Sequence, residues 1–220
     1  MKKLAAALLI LLAACTQKPE KLRPGDLVFV GIPMDYRLDS LSSAIGAATS
    51  RDSLNIIHVA IADVDSAGVW IIDATIRHGV DRHPLDTFLC DFTLGDGSLP
   101  QFFVMRLRDS RRAAAYVANA RKFTGLAYNT AFVPCDTALY CSELVRDSYR
   151  RSDGGYIFSE APMNFCAEDG TMPLYWQQLF ALIGQEVPQG VPGTNPKAMM
   201  AEPVLRPVEV DIVPAGWRHP

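Results

Sequence analysis

Two apolar runs joined by a short polar turn constrain this chain more than any other feature. Ile56-Ile57-His58-Val59-Ala60-Ile61-Ala62 is rich in β-branched residues and reads as a strand buried on both faces. Gly68-Val69-Trp70-Ile71-Ile72-Asp73-Ala74-Thr75 reads as its antiparallel partner, with Asp63 to Gly68 as the turn. The turn sets the register. A loop of two residues at Asp65-Ser66 places His58 directly opposite Asp73. A loop of four, Asp65 to Gly68, places Thr75 opposite His58 and Asp73 one diagonal step away. In both registers the two side chains share a face, because side chains alternate with a period of two. A buried imidazole needs a hydrogen-bond partner, and Asp73 is the predicted one.

A second constraint lies downstream. Tyr140-Cys141-Ser142-Glu143-Leu144-Val145 reads as the opening of a helix, and Cys141, Leu144, Val145, Ser148 and Tyr149 fall on one helical face. Cys141 is therefore expected near the helix N-terminus, pointing inward. Free N–H groups there favour a thiolate and can hold a developing oxyanion. The competing reading is a cysteine that merely fills core. Glu143, two residues on, lies on another face and is expected to favour the positive end of the helix.

The chain has 220 residues, long enough for one domain with a full core. Its 21 basic and 24 acidic residues leave a net charge of -3, which gives no basic footprint for nucleic acid. Residues 1–14 carry a basic start (Lys2, Lys3) and an apolar run from Leu4 to Ala14 that is short for a membrane span. Leu12-Ala13-Ala14-Cys15 is similar to a bacterial lipobox, which predicts a signal peptide over 1–14 and lipidation at Cys15. With Thr16 and Gln17 following, lipoprotein sorting rules imply the outer membrane. Residues 15–22 are expected to be a tether and 23–220 the domain. The lipid anchor is the expected membrane contact, and oligomeric state is left open. Cys90, Cys135, Cys141 and Cys166 remain, and no disulfide is predicted among them.

Further elements follow from pattern. Leu27 to Val30 reads as a strand, Leu41 to Ala48 as a short helix, and Gln101 to Leu107 as a strand. Gly79 to Asp81 and Leu85 to Leu89 read as short extended pieces. Asp109-Ser110 is expected to cap a helix over 111–123 that stops at Gly125. Leu126 to Asp136 and Gly184 to Pro196 read as loops. Pro173 to Ile183 predicts a helix with Trp176, Leu179, Phe180 and Ile183 on one face, and Val204 to Val213 an edge strand.

Taken together, several pieces resemble the permuted NlpC-type, papain-like cysteine hydrolases of the YiiX-like group. They are Arg23-Pro-Gly-Asp-Leu-Val-Phe29, Ile57-His-Val-Ala-Ile61, Ile72-Asp-Ala74, Tyr128-Asn-Thr-Ala-Phe132, Tyr140-Cys-Ser-Glu-Leu-Val145, Val187-Pro-Gln-Gly190 and Pro192-Gly-Thr-Asn-Pro196. They span almost the whole mature chain in the family's order, with the histidine before the cysteine. Ordinary papain-like enzymes have the reverse order. The resemblance implies an α+β, circularly permuted papain-like fold with the cysteine helix packed on an antiparallel sheet. It implies a thiolate nucleophile at Cys141, a histidine base at His58 and a polar third member at Asp73, with no metal or cofactor. Where the family often carries Glu, this chain has the shorter Asp73, and Asn129 stands where Asp is expected. The implied reaction is cleavage of amide bonds in cell-wall peptides. The alternatives are an acyltransferase or lipid hydrolase on the same fold, or a non-catalytic lipoprotein that binds peptide or glycan. An acyl groove would draw on Phe132, Val133, Phe158 and Phe165, for which core packing is the preferred reading. A metal site from His58, His78 and His83 is disfavoured by their spacing. Asp63-x-Asp65-x-x-Gly68 lacks the later ligands of a calcium loop and reads as a turn.

Overall fold

The computed structural model describes residues 20–33, 43–45 and 54–219. The expected signal peptide and Cys15 lie outside the described residues, as does most of the helix expected over 41–48, of which 43–45 are helical. In chain order the strands and helices begin with β1 (Leu27–Pro33), β2 (Leu54–Asp65), β3 (Gly68–Thr75), β4 (Gly79–Pro84), α1 (Leu85–Asp91) and β5 (Gln101–Leu107). Next come α2 (Ala113–Lys122), β6 (Ala127–Tyr128), β7 (Ala138–Leu139), α3 (Cys141–Ser148) and β8 (Ala161–Pro162). The last are α4 (Leu174–Ile183), β9 (Pro192–Gly193), α5 (Pro196–Met200) and β10 (Leu205–Val208).

Six strands form one antiparallel sheet in the order β10-β5-β1-β2-β3-β4. Both faces are covered, which is why β1 is apolar throughout and β2 is mostly apolar, with His58 at its middle. On one face Leu27, Phe29, Val59, Ile61 and Ile72 pack against Tyr116 and Val117 of α2 and Leu144 and Val145 of α3. On the other, Val28, Val30, Ala60 and Ile71 pack against Leu85, Phe88 and Leu89 of α1. A separate aromatic cluster of Phe132, Tyr140, Phe165, Trp176 and Phe180 sits beside the start of α3. Among the described residues no helix is long and apolar enough to cross a membrane.

The hairpin has the second of the two expected registers, closed by a tighter loop. Asp65 pairs with Gly68 and Ile61 with Ile72, so only Ser66 and Ala67 lie between the strands. Asp65 Oδ1 accepts hydrogen bonds from the amides of Ala67 and Gly68 at 2.8 and 3.2 Å. Asp63 bonds Arg82 and Arg121. The acidic turn is thus held by amides and guanidinium groups.

Three expectations are corrected. Residues 85–91 are the helix α1, not an extended piece. Leu85, Phe88 and Leu89 are buried at helical spacing, and Pro84 sets the turn into it with φ -58°. That pattern covers barely two turns, too short to stand out from a strand. The helix α2 starts behind Arg112, and Asp109 spends its carboxylate on Arg111, through the backbone amide at 3.2 Å and Nε at 2.8 Å. The expected tether is docked from Glu20 onward. Its amide bonds Glu209 O at 2.8 Å, its carboxylate meets Arg106, and Leu22 packs on the α1 face.

The Pro24-Gly25-Asp26 turn anchors the sheet. Gly25 has φ +79°, and a Cβ there would stand 2.9 Å from Ala113 Cβ. Its carbonyl accepts from Tyr149 Oη at 2.9 Å. Asp26 is buried and takes Arg106 Nε and Nη2 at 2.6 and 2.8 Å, plus the Arg23 amide at 2.8 Å. Removing one partner of a buried ion pair strands the other charge. Asp26→Ala is expected to lower unfolding free energy by about 3 kcal/mol, read from urea unfolding. A loss below about 1 kcal/mol would show that Glu20 alone satisfies Arg106.

Candidate active site

The site forms where β2 departs from regularity. Val30 pairs with His58 but Gly31 pairs with Ile56, so Ile57 is an extra residue and the strand bends beside the histidine. On the other side, the β2–β3 ladder runs from Asp65↔Gly68 only as far as Ile61↔Ile72. Just past that end, His58 Nε2 and Asp73 Oδ2 are 2.8 Å apart. Asp73 is fully buried and His58 nearly so. The shorter carboxylate therefore reaches the ring. Phe92 lies against the imidazole with centroids 4.7 Å apart and helps exclude water.

Cys141 is the first residue of α3. The face expected from the sequence is the face observed, for Cys141, Leu144, Val145, Ser148 and Tyr149 are all buried. The sulfur reaches His58. Burial alone would push the His58 pKa down, but the Cys141 charge and the hydrogen bonds to Asp73 and Cys141 outweigh it and hold it at about 10. With Nε2 engaged by Asp73, Nδ1 is the ring nitrogen left for the sulfur. The three residues singled out from the sequence thus meet in space.

Glu143 is not a partner of this group. Its Oε2 reaches back to the Tyr140 amide at 3.3 Å and accepts from Asn129 Nδ2 at 3.2 Å. A residue three positions into a helix commonly satisfies the amide at the helix start in this way. Asn129 also donates to Val133 O at 2.8 Å, and its Oδ1 accepts from the Phe132 amide at 3.1 Å. An amide side chain that donates and accepts suits this position, where an aspartate could only accept. The turn it holds puts Phe132 at φ 54°, a left-handed conformation uncommon outside glycine.

A cleft of about 450 Å³ opens on Cys141. Tyr128, Phe132, Met163, Phe165 and Trp176 supply apolar wall, and Thr194 and Asn195 supply polar wall. Thr194 is fixed by two bonds, its amide to Tyr140 Oη at 3.2 Å and its hydroxyl to Ser142 Oγ at 3.0 Å. Of the four residues weighed for a groove, Phe132 and Phe165 line the cleft, whereas Phe158 lies in the main core. Sequence reasoning missed Tyr128, Trp176 and Thr194 as site residues. The Tyr128 and Thr194 segments were noted only for their family likeness, and Trp176 only as one face of a helix. A larger recess of about 940 Å³ lies at β5 and β10, away from Cys141 and lined by no nucleophile.

The other histidines assemble differently from the trio of His58, His78 and His83 that their spacing disfavours. His58 is taken up by Asp73 and Cys141, and the group that gathers is Asp73, His78 and His83. His83 lies on β4 and His78 in the turn before it, so strand pairing closes the sequence gap. Cys90, Cys135, Cys141 and Cys166 are free thiols.

A nucleophile-bearing helix packed on an antiparallel sheet that presents a histidine–carboxylate pair is the layout of a papain-like cysteine hydrolase. The match to a family model extends over residues 21–209, and the chain belongs to that family, the permuted papain-like amidases of the YaeF/YiiX, C92 group. It is an enzyme of the cysteine peptidase or amidase type. The crystal structure of metalloprotein YiiX from Escherichia coli O157:H7 has the same fold, with TM-score 0.66 at 21% identity, covering 87% of this chain and 99% of that one. No curated protein matches the chain.

Burial raises the Glu143 pKa from 4.5 to about 7, against the opposing pull of the Tyr140 amide and Asn129. The folded state therefore keeps this proton longer than the unfolded chain. The stability contribution is complete below pH 4.5 and falls as pH rises from 4.5 toward about 7. Urea unfolding at pH 5 and pH 8 should show Glu143→Gln losing part of that decline, up to about 3 kcal/mol. Identical pH profiles for the two proteins would refute the assignment.

Proposed function

We propose that this chain cleaves amide bonds in cell-wall peptides, with Cys141 as nucleophile, His58 as proton carrier and Asp73 holding the imidazole. The observation that carries the reading is the contact of the Cys141 sulfur with His58, itself bonded to Asp73, at the mouth of a cleft.

The raised His58 pKa supports an imidazole that holds its proton at rest beside the Cys141 sulfur and can give it up during the reaction. The thiolate attacks the carbonyl carbon, forming an S–C bond. The oxyanion is held by first-turn amides of α3, beginning with Cys141 N–H. His58 gives its proton to the amide nitrogen as the C–N bond breaks, and the amine leaves. A water molecule then gives His58 a proton and attacks the thioester, which returns the thiolate.

The apolar cleft favours a second reading, an acyltransferase or lipid hydrolase on the same nucleophile. Phe132, Met163, Phe165 and Trp176 beside Cys141 suit an acyl chain better than a charged stem peptide. For the cell context, residues 1–14 and Cys15 support export and lipid anchoring, with outer-membrane placement supported by Thr16 and Gln17 after the cysteine.

Both readings are tested by one panel, muropeptides against long-chain acyl esters, with Cys141→Ala as control. Cys141→Ala is expected to abolish turnover of the true substrate, and His58→Ala to lower kcat by about 10²–10⁴. Asp73→Ala should lower it less, since Asp73 orients without transferring the proton. Hydrolysis that survives both Cys141→Ala and His58→Ala would rule the mechanism out, and a preference for acyl esters over muropeptides would select the second reading.

A further inference from the structure

Among the buried polar groups without a partner, one lies beside the catalytic pair. His83 is about 5% exposed, and neither of its ring nitrogens has a hydrogen-bond partner. Asp73 Oδ1, the oxygen facing away from His58, also has none. Burying a polar atom without a hydrogen-bond partner is costly. Three such atoms at one point need a reason.

They face one another. His83 Nε2 stands 3.8 Å from Asp73 Oδ1, too long for a hydrogen bond. His78 closes the group, its ring edge-on to His83 with centroids 5.3 Å apart. One ligand atom from each of Asp73, His78 and His83 lies within 4.8 Å of the others. Tetrahedral zinc holds its nitrogen and oxygen ligands about 3.4 Å apart, given bond lengths near 2.1 Å. Side-chain rotation of about an ångström would close that difference.

The surroundings fit as well. Metal-bound imidazoles ordinarily give their second nitrogen to a carboxylate, which fixes tautomer and ring orientation. His78 Nε2 is 3.1 Å from Asp91 Oδ2. His83 Nδ1 is 3.7 Å from Asp81 Oδ2. His78 Nε2 thus has a carboxylate partner, with Thr75 Oγ1 3.2 Å from its Nδ1, whereas His83 Nδ1 only faces a carboxylate across a gap too long for a hydrogen bond, so both His83 nitrogens stay unpaired. Two imidazoles and one carboxylate suit a first-row divalent cation such as Zn²⁺ and are a poor match for Mg²⁺ or Ca²⁺, which prefer oxygen.

We propose that Asp73 Oδ1, His78 and His83 form a binding site for a zinc-type divalent cation, joined to the Cys141–His58 pair through the shared Asp73 carboxylate. The cation bridges β3, β4 and the turn between them. It immobilises Asp73 from the side opposite His58, so its role is to position the carboxylate.

The test is equilibrium dialysis of the metal-stripped full-length protein against Zn²⁺, with metal content measured by mass spectrometry. One Zn²⁺ per chain is expected, with thermal stability raised on loading, while excess Mg²⁺ does neither. His83→Leu, which removes the two unsatisfied nitrogens, should fold without Zn²⁺, lose the stabilisation, and bind at least about 100-fold more weakly. His78→Ala should do likewise. Cys141→Ser should bind as the native chain does, and the Co²⁺-loaded native protein should lack a sulfur-to-metal charge-transfer band. Loss of binding in Cys141→Ser, a sulfur band, or wild-type binding unaffected by His83→Leu would each overturn the site. Because the readout is bound metal and not turnover, it stands apart from the test of the amidase mechanism.

Discussion

The structure turns on a carboxylate buried in the sheet. Asp73 lies between two imidazoles, its Oδ2 on His58 and its Oδ1 toward His83. Placing a carboxylate in a dry interior costs several kcal/mol unless a partner of opposite charge and good geometry is present. His58 is that partner, and it is available only in registers that keep the two side chains on one face. A slip of one residue between β2 and β3 would turn Asp73 to the opposite face, among the side chains that pack on α2 and α3. The same slip would expose Ile72 and Ala74 to the wrong core. Hydrophobic burial and the catalytic pairing therefore select the same alignment.

Around that pair the regular sheet gives way. The extra residue at Ile57 bends β2, and the β2–β3 ladder ends at Ile61↔Ile72, so His58 stays paired to β1 but lies beyond the end of the ladder to β3. The helix α3 brings Cys141 from the other direction, held by Leu144 and Val145 in the core and by Glu143 and Asn129 at its start. The cleft walls come from segments with little regular structure, β8, β9 and their neighbours, tied down by Thr194 on Ser142 and Tyr140. A rigid sheet and helix hold the reacting groups, and loops shape what reaches them.

Much of this was legible because it depends on short-range periodicity. The buried face of α3 follows from spacing alone, as does the parity that puts His58 and Asp73 together. The face of α4 carrying Trp176 and Phe180 is likewise read from every third and fourth residue. The helix α1 escaped because its pattern is too short, and the capping role of Asp109 failed because Arg111 competes for the carboxylate. The grouping of Asp73, His78 and His83 was not legible, for a different reason. His78 and His83 look distant from Asp73 in a linear reading, and only the pairing of β3 with β4 sets Ile71 against His83 and brings the three together.

What the sequence determined by itself is local: which residues are helical or extended, which side each one faces, and therefore which nucleophile and which base point inward. Alternation and helical repeat are properties of neighbouring residues, and they need no knowledge of the rest of the chain. The tertiary structure alone decided which inward-facing groups touch. Strand order, the Ile57 bulge and the docking of the 192–196 segment on α3 bring together residues far apart in sequence, and the balance of packing and desolvation that selects them is a sum over the whole core.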